Sequence, residues 1–146
     1  MGQQQLLLVI LVTIIVGVAT VVALNVFGNS ASNANLDAVR QDVLQIATSA
    51  QGWYIKPQMM NGGGNSFKGM TFKDITFPAD SLGQTLLEAR NLNGWYVISG
   101  RVDTGFTIDA YPSSQSGYTK TAVGGGKKIE ATVTTKKINW TIKNPT

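Results

Sequence analysis

The chain has 146 residues, a formal charge of +4 and only 14 % charged side chains, well below the roughly 25 % usual in soluble domains. It contains no cysteine and no histidine, which excludes disulfides, thiolate metal sites, cysteine nucleophiles and histidine general bases. The positive excess lies at the end, where Lys120, Lys127, Lys128, Lys136, Lys137 and Lys143 face Glu130 alone. Such lysines keep exposed strands soluble; no nucleic-acid motif accompanies them, and no nucleic-acid partner is expected.

No charged side chain occurs before Asp37. Within that stretch Leu6 to Phe27 reads LLLVILVTIIVGVATVVALNVF, interrupted by Thr13, Gly17, Thr20 and Asn25. As a helix it is about 33 Å long, enough to cross a bilayer core. A cleaved secretory signal has a shorter apolar run behind a basic start. Here the start is Met1-Gly2-Gln3-Gln4-Gln5, although Ser30-Ala31-Ser32 is a passable cleavage site. A plain single-span anchor and a helix that leaves the membrane for a filament core are the other readings. The last is favoured by the polar head and the amphipathic stripe that lie directly behind the span.

After a small-residue bridge, Gly28 to Asn35, the residues Leu36, Val39, Val43, Ile46, Ala50 and Trp53 recur every three or four positions. That is one apolar face of a helix over 36–55. Either Asn35 caps a fresh helix, or the bridge stays helical and one long helix reaches Tyr54. Lys56-Pro57 ends it, because the residue before proline disfavours helical backbone. The chain thus divides into an apolar membrane or filament-core helix, 1–35, and a globular head, 36–146.

Residues 57–70 form a loop, since Gly62, Gly63 and Gly64 are costly in any regular element. Thr71 to Pro78 is expected to be extended and to pack Phe72, Ile75 and Phe77. A short helix is expected from Asp80 or Ser81 to Arg90, with Leu82, Leu86 and Ala89 inward. From Gly94 to Lys143 the period is two, giving three to five antiparallel strands. Turns are expected at Arg101–Gly105, Pro112–Tyr118, Gly124–Gly126 and Lys136-Lys137. Phe106, Ile108, Ala110, Ile129, Ala131 and Val133, then Ile138, Trp140 and Ile142, form inward faces. The helical stripe and the sheet face need each other, so the fold class is α+β, with Val43, Ile46 and Trp53 mostly buried and Trp95 or Trp140 nearby.

Candidate chemistry is sparse. Gly126-Lys127 lacks the other residues of a phosphate-binding loop. Gly62 to Ser66 has the amides to cradle an anion, and Asp103 and Asp109 flank a hairpin where a calcium ion could sit; a surface loop and a solvated pair are the plainer readings. Asn139-Trp140-Thr141 fits the glycosylation sequon, but a place in a strand argues against access. No catalytic constellation, cofactor or metal site is expected.

An uncharged N-terminus, a span of about 20 apolar residues, an amphipathic continuation and a small antiparallel sheet together resemble a type IV pilin. The resemblance implies that the apolar half-helix sits in the inner membrane before assembly and then enters the core of an extracellular filament of identical subunits, aided by assembly machinery and a prepilin peptidase. It implies Met1, Gly2 and Gln3 as processing candidates: the peptidase cuts after Gly2, or a leader precedes Met1. It implies filament-assembly residues Gln3, Gln4, Gln5, Leu6, Leu7, Leu8, Ile10, Ile14, Ile15, Val18 and Val22. The chain departs from the family pattern in having Gln5 (or Leu7) where members carry a glutamate. It also lacks the membrane-half proline, for which Gly17 is the nearest substitute, and the C-terminal cysteine pair. A divergent pilin or a pseudopilin of a secretion system fits those departures; a membrane-anchored binding module is the reading from a different class.

Overall fold

The structure, a computed structural model, describes residues 2–114 and 127–143. Met1, most of the 112–118 loop and the 124–126 turn lie outside the described residues. The chain divides into two compact units, Met1–Ala34 and Asn35–Thr146.

A single helix, α1, runs Gly2–Ile55. The bridge from Gly28 to Asn35 is helical, so of the two alternatives left open by the sequence the continuous helix holds. Gly17 does not interrupt it. The helix stops one residue before Lys56-Pro57, and a single 3₁₀ turn, Gln58–Met60, comes next.

The second unit carries six strands: β1 Ser81–Leu82, β2 Glu88–Arg90, β3 Gly94–Val102, β4 Gly105–Pro112, β5 Lys128–Thr134 and β6 Ile138–Lys143. They form one sheet in the order β1-β2-β3-β4-β5-β6, every neighbouring pair antiparallel. Gly100, at φ 57°, sits where the register of β3 against β4 shifts between Ser99 and Val102, a bulge that needs the left-handed backbone glycine supplies. The fold is α+β: α1 lays Val39, Val43, Ile46, Ala47 and Ala50 into a core with Tyr96 and Ile98 of β3, Phe106, Ile108 and Ala110 of β4, and Ile129, Ala131 and Val133 of β5. The helical stripe is therefore the buried face, with Leu36 and Trp53 partly buried at its two ends.

Three expectations are corrected. Residues 81–90 are not a short helix but the β1–β2 hairpin. Gly83 donates to the Glu88 carbonyl (2.9 Å), Leu86 donates to the Gly83 carbonyl (3.0 Å), and Leu86 stands at φ 57°. Leu82 is accordingly 44 % exposed, while Ala89 is buried. Thr71 to Pro78 forms no strand: a turn at 72–74 and a bend at Ile75 lead into irregular chain, yet Phe72 and Ile75 are buried and Phe77 packs edge-on to Tyr96 at 5.3 Å. The third correction concerns β6. Ile138, Trp140 and Ile142 do share the inner face, since they pair across the ladder with Val133, Ala131 and Ile129. Trp140 is nonetheless 40 % exposed and Ile142 57 %, because α1 covers the central strands and leaves this edge open. Trp95 lies on the outer face, with Arg90 stacked 6.0 Å from its ring.

Candidate assembly surface

The apolar segment of α1 has no partner within its own unit. Every large side chain from Leu6 to Phe27 is more than half exposed, from 52 % at Val12 to 72 % at Phe27. The expected assembly residues all lie on α1, Gln3, Gln4 and Gln5 just before the segment and Leu6, Leu7, Leu8, Ile10, Ile14, Ile15, Val18 and Val22 within it, and all are helical and exposed. One copy brings none of them into tertiary contact, because they encircle a helix that is apolar on all sides, the pattern of a helix buried in a protein core or in lipid. The helix is long and apolar enough to cross a membrane. Gly2 and Gln3, the described processing candidates, are in its exposed first turn.

The two threonine hydroxyls within it are already satisfied. The Thr13 hydroxyl donates to the Val9 carbonyl and the Thr20 hydroxyl to the Val16 carbonyl, each at 2.7 Å. A hydroxyl left without a partner in a dry environment is costly; bonding back one turn removes that cost. The sequence pattern marks Thr13 and Thr20 as interruptions, whereas the structure makes them compatible with an apolar surround.

The head is closed independently. At the C-terminal end of α1 the glycine loop caps the helix: Gly63 donates to the Trp53 carbonyl (2.8 Å), Asn65 to Tyr54 (2.9 Å) and Gly64 to Lys56 (3.0 Å). These bonds supply the last-turn carbonyls that a helix cannot satisfy itself. Gly63 has no room for a Cβ, which would meet the Trp53 ring at 2.6 Å. The same bonds, with Gly62 donating to Pro57 and Ser66 to Gly63, consume the amides of Gly62 to Ser66, so the anion cradle is ruled out. The calcium reading falls likewise: Asp103 accepts from the Ser66 hydroxyl at 2.6 Å, and Asp109 pairs with Lys128 at 2.8 Å. Burial works against the Lys128 charge, but the hydrogen bond and field of Asp109, helped by Glu130, hold its pKa above the usual value. Among the described residues no group of three or more acidic side chains is placed to hold a metal ion.

A polar node fastens α1 to the sheet, and no sequence pattern announces it. Asp42, read as part of the solvent face, accepts from the Tyr96 hydroxyl at 2.6 Å and from the side-chain amides of Asn91 and Asn93 at 2.8 Å each. Asn35, about two helical turns earlier, donates to the Asn93 carbonyl at 2.9 Å and accepts from the Ser114 hydroxyl at 2.7 Å. Burial, and then the hydrogen bond and charge of Asp42, push the Tyr96 phenol well above its ordinary value. An unfolded tyrosine ionises near pH 10. The folded chain holds this proton more tightly, so the contribution is complete below about pH 10 and is lost as the pH rises above it. Asp42→Ala leaves three donors without their acceptor and is expected to destabilise the head by roughly 1–3 kcal/mol, read as a lower urea midpoint. The tyrosinate absorbance of that variant should also develop at lower pH. An unchanged midpoint would show that the node contributes nothing.

The open β6 edge forms the wall of a groove of about 360 Å³ lined by Arg40, Ile129, Trp140, Thr141 and Ile142. Comparison with known protein families, characterised proteins and solved structures finds no match to this chain.

Proposed function

We propose that the chain is a structural subunit that polymerises, through its N-terminal helix, into a pilus-like extracellular filament. The observation that carries this reading is the pairing of a helix apolar on every side with a head whose own core is complete. Every buried side chain of the head's core lies at Val39 or beyond, so the apolar segment contributes none of them. Lipid is as apolar as the helix, and single spans gain little from it beyond insertion. Copies of the same helix offer close van der Waals contact instead. Val9, Ile10, Val12, Ile14, Ile15, Val16 and Val18 have few rotamers to lose in such packing. Head-to-tail contacts that do not close into a ring generate open helical polymers.

In this reading the subunit waits in the inner membrane, is processed near Met1, Gly2 and Gln3, and is passed by assembly machinery to the filament. A pseudopilin of a secretion system would work by the same contacts. The groove beside Trp140 and Ile142 is the feature that favours a membrane-anchored binding module instead. Shearing cells and examining the released material by negative-stain microscopy and sedimentation separates the two. Long thin fibres containing this chain support the subunit; a protein that stays with the membrane and is released only as detergent-soluble monomers supports the module.

The way the N-termini are held gives a further expected result. No carboxylate or histidine precedes Asp37, so Gln3, Gln4 and Gln5 supply amides where a charge pair would otherwise register neighbouring subunits. Amides cost less to bury than ions but still require hydrogen bonds. Fibre dissociation should therefore depend little on salt and should follow no carboxylate or imidazole titration, since neither group is present in this segment. Dissociation that follows a carboxylate-like midpoint would contradict the assignment.

A further inference from the structure

The chain contains one Asn-x-Ser/Thr triplet without proline in the middle, Asn139-Trp140-Thr141. The triplet Asn144-Pro145-Thr146 is disqualified by its proline. Burial in a strand would make such a site useless, but β6 is the last strand of the sheet and no described residue pairs with its outer edge. Asn139 pairs with Thr132 and Thr141 with Glu130. Their neighbours Ile129, Ala131 and Val133 face the core, so alternation puts both sequon side chains on the outer face. Asn139, Thr141 and the facing Thr132 are all exposed, and the small threonine opposite leaves room for a substituent.

The hydrogen-bond phase of the hairpin agrees with that placement. Thr134 donates its amide to the Lys137 carbonyl at 2.8 Å. Bonded and non-bonded pairs alternate along an antiparallel ladder, so the backbone groups of Asn139 and Thr141 face β5, and those of Ile138, Trp140 and Ile142 face outward. A substituent on the Asn139 side chain disturbs no ladder bond. It stands instead beside a six-residue edge, Ile138–Lys143, that has no proline and no charged residue from Ile138 to Ile142 and carries exposed Trp140 and Ile142. Such an edge invites pairing with another chain, and a bulky hydrophilic group next to it blocks that approach.

We propose that Asn139 is an N-glycosylation site. The donor is a lipid-linked sugar diphosphate. The Asn139 amide nitrogen forms a bond to the anomeric carbon, the carbon–oxygen bond to the diphosphate breaks, the lipid diphosphate leaves, and the amide proton passes to a base of the transferase. Thr141 is the residue the transferase reads. Modification and fibre formation are measured separately, so the site stands independently of the filament reading.

Lys137 and Lys143 flank the site, so trypsin releases Ile138–Lys143 with Asn139 as its only asparagine. Mass spectrometry of the full chain isolated from its own cells should find this peptide carrying the mass of one or more sugar residues. Asn139→Gln and Thr141→Ala should each abolish the added mass, and Thr141→Ser should retain it. A wild-type peptide found only unmodified would overturn the proposal, as would a sugar mass that survives in Asn139→Gln.

Discussion

Ile15→Lys is expected to abolish fibres. Ile15 is 57 % exposed in the single chain and lies in the middle of the apolar segment. A lysine near the centre of a membrane span costs about 2.5–3.5 kcal/mol in insertion alone. In a filament the cost recurs in every subunit, with like charges brought close in a medium of low dielectric constant. Ile15→Val keeps the surface apolar and β-branched and should assemble normally. Negative-stain counts of sheared fibres, with the membrane fraction probed in parallel, separate failed insertion from failed assembly. Normal fibres from Ile15→Lys would remove the helix from the assembly mechanism.

Ile46→Ala should be the most damaging of the simple truncations on the helical stripe. Ile46 is fully buried, between helix and sheet, and truncating an enclosed isoleucine to alanine costs about 2–5 kcal/mol, the spread reflecting how far the site collapses. Ile46→Val should cost only about 0.5–1.5 kcal/mol. Tryptophan fluorescence of the full chain during urea unfolding reads both, since Trp53 packs against the same core. A midpoint unchanged in Ile46→Ala would contradict the enclosed core.

The residues legible in the sequence are those whose partners are implied by a period. The three-and-four spacing of Val39, Val43, Ile46 and Ala50 identifies the buried face of α1, and Lys56-Pro57 its end. The alternation through Phe106, Ile108 and Ala110, and again through Ile129, Ala131 and Val133, identifies the face they meet. Periodicity says which face a side chain is on, not whether anything covers it. Trp140 and Ile142 are thus on the inner face as their alternation requires, yet half-open, because α1 does not reach over β6. Leu82, Leu86 and Ala89 mimic helical spacing, but the tight turn at Gly83 to Leu86 and the pairing of Ala89 with Tyr96 prevail. Local propensity is a weak prior against a sheet that gains another strand. Asp42 is illegible for a different reason: its three donors lie 49 to 54 residues away, and nothing local to the helix signals them. The glycine run is legible as a loop but not as the cap of α1, since that role depends on which carbonyls its amides reach.

Burial of the apolar half of α1 against copies of itself can be measured directly, because the chain has no cysteine of its own. Ile14→Cys introduces a single thiol into the segment. Sheared fibres, free of membrane, are treated with a water-soluble maleimide before and after dissociation in detergent. The thiol should be shielded in the intact fibre and fully reactive once the subunits separate. A thiol that reacts equally in both states, or a chain that never leaves the membrane as fibres, would contradict burial of the helix in a filament core.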